Sequence, residues 1–73
     1  MMKITSYIER DPETGLYVAL VPSIPGAHTQ AESMDELLLN LKEVVELCLG
    51  ELSSQEIKSF PEFIGVQQIE VKI

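Results

Sequence analysis

The sequence predicts a two-layer α+β fold, in which one long helix covers a three-strand antiparallel meander and a closing strand follows, in the order β-β-β-α-β. Three observations support this fold class. Two strand-like segments flank a compact turn near the N-terminus, a capped amphipathic stretch follows, and the last eight residues alternate again. At 73 residues the chain has the length of one domain, which we expect to span residues 1–73.

The first two strands are predicted on either side of a turn. Residues 2–10 alternate, with Ile4 and Ile8 on one face, and residues 16–21 (LYVALV) form a more apolar second strand. Between them, the sequence DPETG at residues 11–15 combines a proline that fixes φ, an aspartate that can bond its own backbone, and a glycine that permits positive φ. The short connection predicts an antiparallel hairpin.

Two prolines interrupt the chain after the second strand. Pro22 and Pro25 have no backbone N–H to give to a sheet, so the strand is expected to end there. Pro25 and Gly26 suit the centre of a type II turn, and residues 27–31 then form a short third strand. We interpret Pro22, Pro25 and Gly26 as structural residues that bend the chain and limit strand growth, with direct contact to a partner as the alternative.

A long amphipathic helix is predicted to begin after Ser33. Ser33 and Glu36 form a capping-box pattern, in which the serine side chain accepts from the Glu36 backbone and the glutamate side chain reaches back. The helix is expected to run to about Leu49, and Gly50 is expected to end it. The stripe predicted to pack on the sheet consists of Met34, Leu37, Leu38, Leu41, Val45 and Cys48.

The last part of the chain gives a weaker pattern. Residues 51–59 are compatible with one or two helical turns or with a loop, and Pro61 prevents a helix from continuing. Residues 66–73 (VQQIEVKI) alternate and predict the closing strand. One face of that strand would carry Gln67, Ile69, Val71 and Ile73.

The charge and cysteine content narrow the class of protein. A net charge of −7 disfavours direct nucleic-acid binding through a basic face and favours encounter with a basic partner, although many small acidic proteins have no special partner. Cys48 is the only cysteine, so an intrachain disulfide is excluded and a reducing compartment fits best. No run approaches the roughly 18 apolar residues of a membrane span, and no signal peptide is visible. We therefore expect a cytoplasmic protein without a membrane partner.

The chain offers little catalytic or metal-binding chemistry. His28 and Cys48 are the only classical soft ligands and lie far apart in the sequence, so neither a metal nor another cofactor is expected. His28 has no neighbouring group that would make it a catalytic base, and Cys48 falls on the apolar helix stripe. Nothing in the sequence forces Glu9 and Asp11 to converge as a metal-dependent nuclease would require. We expect a protein that is not an enzyme.

The predicted helix carries two leucines away from its main apolar stripe. Leu39 and Leu47 flank Glu43 on the outer face. Isolated exposed leucines are ordinary, but a second interface for self-association would compensate for the small core, so we favour a homo-oligomer. On this hypothesis, Leu39→Glu combined with Leu47→Glu leaves a folded monomer.

Residues 15–47 (GLYVALVPSIPGAHTQAESMDELLLNLKEVVEL) resemble the HicB family of antitoxins and its orphan relatives. The resemblance covers about half of the chain and keeps both the order and the spacing of the motif. The matching positions are Gly15, Tyr17, Val21, Pro22, Pro25, Gly26, Thr29, Gln30, Ser33, Asp35, Glu36, Asn40 and Glu43.

The resemblance implies a sheet like part of a ribonuclease H fold. It also implies a short single-domain antitoxin whose partner is a HicA-like toxin, a small basic ribonuclease that cleaves messenger RNA. In such pairs the antitoxin covers the active surface of the toxin. The alternative is an orphan HicB-like module that oligomerises and has no cognate toxin. Many family members continue into a DNA-binding segment, which is not visible here, so no direct nucleic-acid binding is expected from this chain.

Overall fold

Three strands followed by two helices make up the computed structural model, which describes residues 2–73. The strands are β1 (Tyr7–Arg10), β2 (Tyr17–Leu20) and β3 (His28–Ala31). The helices are α1 (Met34–Gly50) and α2 (Ser54–Lys58). The predicted α+β class is therefore confirmed, with a second short helix in the region that the sequence left open.

The strands form the predicted antiparallel meander, in the order β1-β2-β3. Ala19 lies opposite Ile8 on one side and Thr29 on the other, so these three share one face. Strand β1 begins at Tyr7 rather than at residue 2, because Tyr7 already pairs with Leu20, the last residue of β2. Residues 2–6 therefore extend past the end of the neighbouring strand.

The β1–β2 connection is held by its own polar groups, as predicted. The two carboxylate oxygens of Asp11 accept from the Glu13 backbone N–H at 3.1 Å and from the Thr14 hydroxyl at 2.9 Å. The Asp11 carbonyl accepts from the Gly15 N–H at 2.8 Å, and Gly15 has a φ of 74°. Hydrogen bonds between neighbouring residues therefore stabilise the turn that connects β1 and β2.

Residues 21–27, here called the proline loop, contribute directly to the core. The Ile24 carbonyl accepts from the Ala27 N–H at 3.1 Å, and Gly26 has a φ of 81°, which confirms the type II turn. Val21, Ile24 and Ala27 are 1%, 2% and 0% exposed. The two prolines face outward, so the loop presents its apolar side chains inward.

Helix α1 packs on β3 and, to a lesser extent, on β2, and the core divides into two clusters. In the first, Leu37 lies against the small residues Ala19 and Ala31. In the second, partly buried hydrophobic residues pack against the buried side chains of the proline loop. These partly buried residues are Ile4, Leu41, Val44, Val45, Cys48, Leu49 and Phe60.

Two members of the predicted apolar stripe do not belong to the core. Leu38 is 51% exposed and Met34 is 37% exposed. The helix lies toward the β3 side of the sheet, so its flank toward β1 is uncovered. Val44 and Leu49, which the stripe omitted, pack against the second cluster instead.

The ends of α1 match the prediction only in part. The Ser33 hydroxyl accepts from the Glu36 backbone N–H at 3.2 Å, as predicted. Over residues 2–73, however, no return bond joins the Glu36 carboxylate to the Ser33 backbone, so the capping box is half formed. Gly50 is the last helical residue rather than a left-handed stop, because the Glu51 N–H continues the turn by donating to the Cys48 carbonyl at 3.2 Å.

The complete capping box lies at α2. The Glu56 N–H donates to the Ser53 hydroxyl at 3.1 Å, and the Ser53 N–H donates to the Glu56 carboxylate at 3.0 Å. The hydrogen bond from the Ser53 backbone, followed by a contribution from its side chain, lowers the pKa of Glu56 from its ordinary value of 4.5. After α2 the chain returns to the body of the fold through Phe60, which packs on the second cluster.

The predicted closing strand is wrong. Residues 66–73, here called the C-terminal arm, belong to no strand, and no backbone hydrogen bond joins residues 61–73 to residues 2–60. An alternating sequence forms a strand only where a sheet edge supplies hydrogen bonds and a surface for its apolar face. Within residues 2–73, the arm is not paired with an edge of the sheet.

Candidate protein-binding face of helix α1

The outer side of α1 carries a line of alternating acidic and leucine side chains. Asp35, Leu39, Glu43 and Leu47 follow one another at intervals of four residues, which places them along one side of a helix. All four are exposed, and the two leucines are 62% and 71% accessible. We call this line the outer row. The helix buries Leu37 on its opposite side, so contact with the sheet fixes the outward direction of the row.

The face around the outer row is negative. Helix α1 contains four acids (Asp35, Glu36, Glu43 and Glu46) and one lysine (Lys42), which gives −4 + 1 = −3. Its last turn has no basic residue to offset the negative end of the helix dipole. The face can therefore attract a positively charged surface and offer it two apolar contacts.

Four of the family-motif residues lie at or near this face. Glu43 belongs to the outer row, and Glu36 is exposed one residue beyond Asp35. Ser33 supports the start of the helix through its bond to the Glu36 N–H. Asn40 is half-buried on the flank of α1. The structure thus gives Ser33 a structural role and leaves the Glu36 and Glu43 carboxylates facing solvent.

The remaining motif residues lie elsewhere. Pro22, Pro25 and Gly26 form the exposed side of the proline loop. Tyr17 is half-buried on β2, where its hydroxyl accepts from Arg10 Nη2 at 3.2 Å and the guanidinium lies 4.9 Å from the ring centroid. These residues shape the sheet and the core, and the structure does not bring them to the outer row.

The polar groups considered for catalysis are dispersed. His28 is exposed on the outer face of the sheet opposite Leu20, whereas Cys48 is half-buried against the second core cluster beneath α1. The Asp11 carboxylate is engaged in the hairpin turn. Across residues 2–73, no group of three or more His, Cys, Asp or Glu side chains is placed to hold a metal ion. No helix in the same range has the length and apolar character needed to cross a membrane.

Several relatives match this chain over most of its length. A protein of Archaeoglobus fulgidus is 52% identical over 71 residues, covering 97% of both chains. A protein of Synechocystis is 47% identical over 64 residues (88% of this chain and 87% of the relative), and one of Thermotoga maritima is 47% identical over 68 residues (93% and 88%). All three are UPF0150 proteins. The chain belongs to the UPF0150 family.

The UPF0150 assignment rests on these relatives, since no family model and no solved structure matches the chain. The Archaeoglobus match covers 71 of the 73 residues, so it spans the proline loop and α1. The similarity therefore includes the segment that carries the candidate site.

Two features of this UPF0150 chain were not predicted as part of a site. Glu46 extends the acidic face, and its position three residues after Glu43 is the signal that could have identified it. The second feature is a groove between the uncovered flank of α1 and the segment before β1, with Ile4, Leu38 and Val45 in its wall. The groove depends on where α1 rests on the sheet, which helical periodicity does not specify.

Proposed function

We propose that this UPF0150 protein is an antitoxin-type binding protein that neutralises a small basic HicA-like ribonuclease by covering its active surface. The observation that carries the proposal is the outer row, which combines exposed acids with exposed leucines along one helix. A toxin that cleaves messenger RNA needs a positive surface for its substrate, and a negative face can compete for that surface. The resemblance of residues 15–47 to HicB antitoxins points to the same kind of partner.

The two kinds of side chain in the row would contribute differently to binding. Carboxylates such as Glu43 accelerate encounter with a basic protein and make binding sensitive to salt. Leucines such as Leu39 and Leu47 lose contact with water when a partner covers them, and this apolar burial would stabilise the complex. On this proposal the protein acts by binding alone and is not an enzyme. The separation of His28, Cys48 and Asp11 in the fold supports that part of the proposal.

A second candidate function is an orphan HicB-like module that oligomerises through the same face. The exposure of Leu39 and Leu47 favours it, because paired leucines on neighbouring helices would bury each other. The two functions differ in the effect of Leu39→Glu with Leu47→Glu. The orphan module would lose its oligomeric mass, whereas the antitoxin would lose affinity for its toxin.

The first test is capture of partners with the tagged chain from its native cells, followed by identification by mass. We expect a stoichiometric small basic protein whose RNA cleavage is suppressed by the chain, with an affinity of about nanomolar. If only the chain itself is recovered under conditions that preserve such complexes, the orphan module replaces the antitoxin.

The second test compares two pairs of charge-neutralising substitutions. Glu43→Gln with Glu46→Gln removes two charges from the face, and Glu13→Gln with Glu62→Gln removes two from exposed positions elsewhere. We expect the first pair to weaken toxin binding about tenfold at low salt, since each exposed ion pair contributes up to about 1 kcal/mol. The second pair should have little effect. Equal losses from both pairs would show that only overall charge matters and that the outer row is not the contact site.

A further inference from the structure

The C-terminal arm has the sequence pattern of a strand but pairs with no strand of residues 2–73. Ile69, Val71 and Ile73 fall on one side at intervals of two residues and are 77%, 70% and 115% exposed. Glu70 and Lys72 lie on the other side. Leaving such a row of apolar β-branched residues in water is unfavourable, because removing apolar surface from water stabilises a protein.

The same chain has a sheet edge with complementary properties. Strand β1 pairs only with β2, and its other edge carries no strand from residues 2–73. On the helix side of that edge, Ile8 is 40% exposed because α1 rests over β3 and β2. Leu38 is also exposed, and it lines a groove between α1 and residues 2–6, the segment that leads into β1. The edge therefore offers free backbone groups beside an uncovered apolar surface.

We propose that the C-terminal arm of one chain adds as a fourth strand to the free edge of β1 in a second copy, and that the second copy returns its own arm. Backbone hydrogen bonds to β1 would hold the arm, as in other cases of strand addition. Its Ile69 and Val71 side chains would cover Ile8 and Leu38. The exchange is reciprocal, so it closes as a symmetric dimer and satisfies both edges.

The shape of the chain favours a second copy over the chain's own edge. The radius of gyration is 14.2 Å, whereas a compact chain of this length has a value of about 11 Å. The extents of 42 × 30 × 19 Å reflect the same elongation. Pro61 restricts the backbone after Phe60, which packs on the core, and no backbone hydrogen bond joins residues 66–73 to residues 2–60. An arm that is extended away from its own core is positioned for exchange.

The effect of salt should distinguish this dimer interface from the proposed contact with a toxin. Two chains of net charge −7 repel each other, so apolar contact and backbone hydrogen bonds must hold the exchanged dimer. Added salt screens that repulsion and should strengthen the dimer, whereas it should weaken binding of a basic toxin. The inference does not depend on the proposed function, and each can fail without the other.

The test measures the solution mass of the full chain and two variants by light scattering. Ile69→Gln with Val71→Gln removes the apolar side of the arm, and Gln68→Ser with Glu70→Gln changes the polar side as a matched control. We expect the unaltered chain and the control to have the mass of a dimer, twice the 8.2 kDa of one chain. The first variant should have the mass of a single chain. Helical circular dichroism should be equal in all three, because residues 66–73 lie outside the core.

A second measurement locates the contact. In a mixture of isotope-labelled and unlabelled chains, nuclear Overhauser effects between chains should connect Val71 of one copy with β1 of the other. A chain that remains at 8.2 kDa at millimolar concentration would overturn the proposal, even if the arm folds back onto its own β1. A dimer that persists in Ile69→Gln with Val71→Gln, or interchain effects confined to Leu39 and Leu47, would overturn it as well.

Discussion

The Val21 backbone N–H donates a hydrogen bond of 2.9 Å to the Ala27 carbonyl, and this single bond closes the proline loop. Both residues are buried, and the turn that they enclose brings Ile24 into the core between them. Pro22 and Pro25 occupy the exposed side and restrict the backbone before folding. The loop between β2 and β3 therefore supplies all three buried residues of the second cluster.

Ile24→Ala tests the contribution of the proline loop to stability. Ile24 is fully enclosed, so its truncation should leave a cavity and lower the free energy of unfolding by about 2–4 kcal/mol. Ile64→Ala removes the same atoms from an exposed position and should change stability by less than about 0.5 kcal/mol. Urea unfolding followed by circular dichroism measures both. Similar losses for the two variants would show that the loop is not part of the core.

Gly26→Ala tests the backbone of the type II turn. A Cβ at Gly26 would meet no atom within 4 Å, so the cost arises from the φ of 81° alone and should be about 1–2 kcal/mol. Gly50 also has open space, but its φ is negative, and Gly50→Ala should be neutral or stabilise the protein by up to about 1 kcal/mol. In thermal unfolding, the melting temperature should therefore fall for Gly26→Ala and stay unchanged or rise for Gly50→Ala.

Ala19→Leu tests how closely α1 approaches the sheet. Ala19 has no exposed surface and lies against Leu37, so a larger side chain should force the layers apart and cost about 1–3 kcal/mol. Gln30→Leu adds an apolar side chain on the opposite, exposed face of the sheet and serves as the control. If Ala19→Leu unfolds at the same urea concentration as the control, the first cluster is not tightly packed.

The pH dependence of α2 follows from the capping box. The folded-state pKa of Glu56 lies below 4.5, so its ionised form stabilises α2 above that pH. This contribution is lost as the pH falls from about 4.5 through the lowered pKa, where the carboxylate is protonated. The protection of the amides of residues 54–58, measured as their exchange rate relative to the intrinsic rate at each pH, should fall across that range. In Ser53→Ala the midpoint for Glu56 should move toward 4.5, and an unchanged midpoint would contradict the assigned hydrogen bonds.

Much of the candidate site could be predicted because helical geometry is local. A spacing of four residues is enough to place Leu39, Glu43 and Leu47 on one line, and the structure exposes all three. The partner of that line stays a prediction. The groove beside Leu38 could not be predicted, since it depends on how α1 lies relative to the segment before β1.

The sequence by itself determined the features that neighbouring residues enforce: the Asp11 turn, the Pro25–Gly26 bend, the Ser33 cap and the start of α1. Each depends on groups a few residues apart, so no distant contact is needed to select it. Only the tertiary structure decided which flank of α1 meets the sheet and whether residues 66–73 form a strand. Those outcomes depend on long-range packing and on the availability of a sheet edge, and an alternating sequence specifies neither.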